Sequence, residues 1–185
     1  MWFLSMDMYG QEAEHLTFKG IPIDGPLDAF VEKLEGLGYK YLYEENCIAL
    51  MDGTFAGFAG CCVGVSTIKG KNIVYLVGVR FPTCGDWSTL EKDYTYLKTM
   101  LIKKYGEPER VVEEFTGCVQ PKDNVEKLHE LYMDRCVWGT SFRIKNGDII
   151  LSLHKSLNGN GCYAMLKYFD EVNTSLVDSL AIDDL

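Results

Sequence analysis

Residues 142–151 read Phe-Arg-Ile-Lys-Asn-Gly-Asp-Ile-Ile-Leu. Asn146-Gly147 stands between two strand-like runs, and a two-residue type I′ turn favours that pair because both central residues need positive φ. The stretch therefore predicts an antiparallel hairpin. Asn158-Gly159-Asn160-Gly161 marks a second turn, followed by a strand near 161–169. Further candidate strands lie near 109–115, 133–144 and 148–154. Short links between successive strands imply antiparallel pairing, since parallel strands need long crossovers.

The first half of the chain repeats this order. Strand patterns occur near 39–44, 47–52, 58–68 and 72–82, with Lys69-Gly70-Lys71-Asn72 as a turn. Ile73, Tyr75, Val77, Val79 and Phe81 alternate with Val74, Leu76, Gly78 and Arg80, the period-two pattern of a half-buried strand. Gly53-Thr54-Phe55-Ala56-Gly57-Phe58-Ala59-Gly60 lacks a phosphate-binding lysine and opens no helix. It reads as a strand bend or hairpin connection.

An amphipathic helix precedes each run of strands. The first follows Asp24-Gly25-Pro26, with proline at an allowed first position. Leu27, Phe30, Val31, Leu34 and Leu37 form its apolar stripe, and Gly38 stops it. The second is capped by Asp86 or Ser88. Its Leu90, Tyr94, Leu97 and Leu101 repeat at helical spacing, and Gly106 and Pro108 end it. An insertion at about 116–131 carries a short helical pattern through Val125, Leu128 and Leu131. The expected fold is α+β: two similar helix-plus-four-strand modules forming an antiparallel sheet, with helices packed on one face. The corresponding divisions are 1–19 (signal-peptide remnant and N-terminal arm), 20–85 and 86–170 (the two modules), and 171–185 (acidic C-terminal tail).

The doubled helix-plus-four-strand order resembles β-lactamase inhibitory proteins, and each half resembles the related outer-membrane assembly lipoprotein domain. The stop at Lys104-Tyr105-Gly106-Glu107-Pro108 is similar to the helix end of that group. The likeness spans residues 20–170 and extends to small exported bacterial proteins. It implies a sheet face that binds protein, without catalysis. The chain departs from the group in having no identifiable β-lactamase-binding loop and no lipobox cysteine after its N-terminal segment.

Composition narrows the function classes. The chain has 185 residues, 47% hydrophobic and 24% charged, which are globular values. No stretch approaches the ~20 apolar residues of a membrane span. The net charge of −9 argues against a nucleic-acid partner. By segment the charge is −2 over 1–19, −2 over 20–85, −1 over 86–170 and −4 over 171–185. The last segment reads as a solvated, frayed terminus. Met8-Tyr9-Gly10 followed by Gln11 looks like the end of a bacterial signal peptide, although no basic n-region precedes it. The expectation is a periplasmic or secreted protein, with a cytoplasmic one as the alternative.

The seven cysteines form no C-x-x-C, which leaves a zinc ribbon or thioredoxin motif without support. They read as buried thiols, with one or two disulfides as the alternative after export. Cys61 and Cys62 would point to opposite faces of a strand. Cys84, ahead of a helix N-terminus, is the one candidate nucleophile. Its Cys84-Gly85-Asp86-Trp87 context fails the papain-type pattern, and only His15, His129 and His154 could partner it. The histidines lack metal-ligand spacing, and no cofactor motif occurs. The sequence points to no catalytic, cofactor or metal residue.

A candidate binding face follows from strand alternation. If the larger apolar set faces the helices, the outward set holds Arg80, Arg135, Ser141, Arg143, Ser152, His154, Tyr163, Met165 and Lys167. Arg80, Arg135, Arg143, His154, Tyr163 and Lys167 are the expected site, because arginine and tyrosine are favoured at binding hot spots. The expected function is non-enzymatic recognition of a protein or other macromolecule through this face. Alternatives are an intracellular immunity-type protein that neutralises a toxin and, third, a cysteine-dependent enzyme. Partner and oligomeric state are not encoded in any motif.

Overall fold

The computed structural model describes residues 14–157, 159 and 161–183. Met8-Tyr9-Gly10 lies outside them. In chain order the elements are β1 (Thr17–Phe18), β2 (Ile21–Pro22), α1 (Leu27–Gly36), β3 (Lys40–Glu45), β4 (Ile48–Phe55), β5 (Phe58–Thr67) and β6 (Val74–Arg80). They continue with α2 (Trp87–Tyr105), β7 (Arg110–Phe115), α3 (Asn124–Tyr132), β8 (Cys136–Ile144), β9 (Gly147–Lys155), β10 (Cys162–Asp170) and α4 (Glu171–Asp183). The fold is α+β, with an eight-stranded antiparallel sheet in the order β3-β4-β5-β6-β10-β9-β8-β7 and a small β1-β2 sheet.

The helices form where local chemistry dictates. Asp86 caps α2, accepting from the Thr89 N–H at 2.8 Å and from the Ser88 hydroxyl at 2.8 Å. Gly106, at φ 87°, ends α2 as its sequence requires. Pro26 is the N-cap of α1 rather than its first helical residue, and the cap is supplied from afar: Asn72 Oδ1 accepts from the Leu27 N–H at 2.9 Å. The short helix expected in the insertion is α3, capped by Asp123.

One face of the sheet packs on α1, α2 and α3. Phe30 and Leu34 of α1 and Trp87, Leu90, Tyr94 and Leu97 of α2 are buried against Met51, Val63, Val79, Leu151 and Leu166 in one contiguous cluster. Tyr94 meets Thr140 hydroxyl to hydroxyl at 2.5 Å, which satisfies both buried groups. Trp87, Phe115 and Trp138 pack ring on ring at the α3 end.

The hairpin read from residues 142–151 is present, with Phe142 opposite Ile149, but its turn differs from the expected one. The loop residues are Lys145 and Asn146, neither with positive φ, and Gly147 already pairs with Ile144. The cause is tertiary. Asn146 accepts a hydrogen bond from the Glu171 N–H at 3.0 Å, and the Phe169 carbonyl lies so close to Gly147 that a Cβ would collide with it. Two-residue turns with positive φ occur instead at Asn46-Cys47 and Ala56-Gly57.

Residues at the two ends of the chain hold the fold in ways the sequence did not announce. Leu16 and Phe18 of the expected N-terminal arm are buried in the core, as are Ile21 and Ile23 just after it. The segment expected as a frayed acidic terminus forms α4. Its N-cap, Asp170, is fully buried and accepts from the Asn173 and Leu16 N–H groups, both at 2.8 Å, beside His15 at 3.1 Å. Asn173 Nδ2 donates to Ile23 O, Asp24 Oδ1 and Val74 O, tying the helix to the segment ahead of α1 and to β6.

Candidate functional site

Strand alternation sends one residue set of the sheet to the core and the other to the opposite face. That face is open apart from α4 at one end, where Val177 shares a cavity with Ile48, Ser66 and Tyr75. On β10 the buried set is Cys162, Ala164, Leu166, Tyr168 and Asp170, which leaves Tyr163, Met165, Lys167 and Phe169 on the open side. Register carries this across the sheet. Met165 pairs with both Arg80 and Ser152, Tyr163 with His154, and Lys167 with Gly78 and Ile150. Arg80 in turn pairs with Cys62. On β6 a register shift near Tyr75 returns Val74 to the core beside Val77 and Val79 and leaves Ile73 and Tyr75 only half-buried, so strict alternation fails at this end of the strand.

Four of the six expected site residues come together. Arg80 lies over the Tyr163 ring at 5.7 Å, and His154 stacks on the same ring at 5.7 Å. Ser152 Oγ is 2.8 Å from His154 Nε2. Lys167 follows two residues beyond Met165 on the same face. Burial, then the nearby Lys167 charge, holds the His154 imidazole below its ordinary range.

The other two expected residues do not join this cluster. Arg143 is on the open face near the β8–β9 turn, but its charge is engaged by Asp148 at 2.9 Å and Glu171 at 4.0 Å. Arg135 precedes β8 and makes a two-pronged contact with Glu130 of α3, at 2.9 and 2.7 Å. That pairing lowers the Glu130 pKa and engages the Arg135 guanidinium. Alternation placed Arg135 outward only by assuming that β8 begins earlier than Cys136.

Beside the cluster lies a groove of about 480 Å³ spanning β3, β4, β5, β6 and β10. Leu42, Tyr43, Ile48, Leu50, Leu76 and Met165 supply its apolar walls. Gly64 and Gly78 form its floor: a Cβ on Gly64 would meet Ile48 Cγ2 at 3.4 Å and Leu50 Cδ2 at 3.5 Å, and one on Gly78 would meet Met165 Cε at 3.1 Å. Arg80 and Lys167 also line it, and no carboxylate does. Of the groove's lining, strand alternation places Arg80, Met165 and Lys167 outward; the walls from β3 and β4 depend on strand pairings that no local pattern records. The available signal was Leu76-x-Gly78 and Leu50 at positions alternating with core residues.

A larger cavity, about 730 Å³, lies on the other side of the sheet between α1 and β3. Asp28, Glu32, Glu35 and Glu44 line it with Lys71. Among the described residues, no group of histidine, cysteine and carboxylate side chains could hold a metal ion. None of their helices is long and apolar enough to cross a membrane.

All seven cysteines are free thiols. Cys61 is buried and Cys62 lies on the open face, so the pair does diverge as alternation requires. Cys84 faces Cys162 across an isolated antiparallel bridge with backbone hydrogen bonds of 2.8 Å in each direction. Burial pushes the Cys84 thiol up, which opposes the thiolate a nucleophile needs. Burial raises Cys162 as well and pushes Cys136 up to about 12.

No protein-family model, no curated protein and no solved structure matches this chain.

Proposed function

We propose that this protein is a non-enzymatic binding domain that recognises a protein or other macromolecule through the open face of its sheet. The observation that carries the reading is the juxtaposition of the Arg80–Tyr163–His154 cluster with an apolar groove on one face. Interfaces take their affinity from arginine and aromatic anchors beside apolar pockets. The raised Cys84 thiol favours binding over thiol catalysis.

Two finer points belong to the same proposal. The two helix-plus-four-strand runs are a tandem repeat: each run fills its half of the sheet in sequence order, and the fourth strands, β6 and β10, meet at the centre. This order supports the resemblance to β-lactamase inhibitory proteins. Export rests on the Met8-Tyr9-Gly10 segment, and the N-terminal mass of natively produced protein tests it by the presence or absence of cleavage near Gly10.

The binding reading is tested by site-specific photo-crosslinking in the native host. A crosslinking residue in place of Tyr163 is expected to give a discrete adduct, and one at the exposed Lys103 of α2 is not. No adduct at Tyr163, or equal adducts from both faces, would overturn it.

A further inference from the structure

We infer that the open-face groove is a binding site for an anionic amphiphile, an alkyl chain carrying a carboxylate, with its head between Arg80 and Lys167. This goes beyond macromolecular recognition by the sheet and can fail on its own.

The groove is chemically polarised. Leu42, Tyr43, Ile48 and Leu50 stand on the β3–β4 side, and Arg80 and Lys167 on the β6–β10 side. Register puts Lys167 opposite Gly78, two residues along β6 from Arg80, so the two cations are diagonal neighbours across one strand pair. Among the described residues neither Arg80 nor Lys167 forms an ion pair, although the chain has 27 acidic residues. Arg110 aside, the other two arginines are both engaged by carboxylates. Burial first, and the Lys167 charge second, lower the His154 imidazole beside the groove.

Volume and hydrogen-bonding capacity select the ligand class. About 480 Å³ lies within the ~300–1,000 Å³ range of small-molecule sites. The floor is the face of a sheet whose N–H and C=O groups are already spent in ladders, so the groove offers little to a peptide backbone. A buried peptide group without partners is costly, and an alkyl chain has no such groups to satisfy. Gly64 and Gly78 let the Ile48, Leu50 and Met165 side chains close down on the strands, so the wall an alkyl chain would meet is apolar. One carboxylate meets two cations that form no ion pair among the described residues.

The test titrates the full chain with dodecanoate below its micellar threshold. Dodecyltrimethylammonium, with the same chain and the opposite head, serves as comparator. Dodecanoate is expected to bind about ten-fold or more tightly than the cationic amphiphile, the scale of a charge-assisted contact. It should also slow iodoacetamide labelling of Cys62, which lines the groove, and leave the exposed Cys118 unchanged. The double variant Arg80→Glu/Lys167→Glu should lose that preference. Equal binding of the two amphiphiles, or an unprotected Cys62, would overturn the proposal without needing any variant to fold. Binding of an acidic, leucine-rich peptide where dodecanoate fails would also overturn it and assign the groove to a protein segment.

Discussion

His154 carries the most direct physical consequence at the scale of a single residue. Its ring stacks on Tyr163, accepts or donates to Ser152 at 2.8 Å, and sits near Lys167. Burial and that cation disfavour imidazolium, so the folded residue holds its proton less tightly than the unfolded one. The stability it contributes is full above pH 6.5 and is lost as pH falls through its depressed pKa. A two-dimensional NMR titration should place His154 below 6.5, and Lys167→Met should move it upward. A midpoint at or above 6.5 would contradict the packing described for the cluster. The identity of these residues was legible in the sequence, because alternation on β9 and β10 is regular. The loss of Arg135 and Arg143 from the cluster was not. Arg135 is engaged by Glu130, five residues back on α3, and Arg143 by Asp148 across its own hairpin, partners that strand alternation does not weigh.

At the scale of elements, the two halves of the sheet differ. Every register shift falls in β3–β6: at Tyr41/Tyr43, at Gly53/Phe55 and at Ser66/Thr67. The pairings of β7 through β10 run without interruption. Bulges bend strands and raise local twist, and the groove lies on this irregular half. Gly53 is the most demanding of these positions, because a Cβ there would collide with the buried Tyr39 ring, whose hydroxyl donates to Thr54 O at 3.2 Å. Gly53→Ala should lower stability by about 1–3 kcal/mol through overpacking. Gly36→Ala, in open space at the end of α1, should be neutral or slightly stabilising. Thermal unfolding of the two variants compares them directly, and equal midpoints would show that Tyr39 yields. The positions of β3 to β10 and of α1 to α3 were read closely from periodicity and turn chemistry, whereas β1, β2 and α4 were not. The bulges were not, since they answer to the partner strand and not to local pattern.

For the whole molecule, the decisive fact is that strands from both halves share one sheet and one core cluster. β6 and β10 pair directly, and Phe18 from the N-terminal arm packs its ring against Phe55 and Tyr168, one from each half. Asp170 and Asn173 then bind the C-terminal helix to that arm and to the segment ahead of α1. Unfolding should therefore be a single cooperative transition, with far-UV and near-UV circular dichroism superimposing during a denaturant titration. Two separated transitions would divide the halves energetically. The sequence by itself determined the order of elements from α1 to β10, the antiparallel sheet and which strand faces are apolar, because turn chemistry and side-chain period act over a few residues. Tertiary structure alone decided the central β6–β10 pairing, the folding of the acidic terminus into a capped helix, and the groove. Each of these depends on contacts between residues far apart in the chain, and no local pattern records which distant residue will arrive.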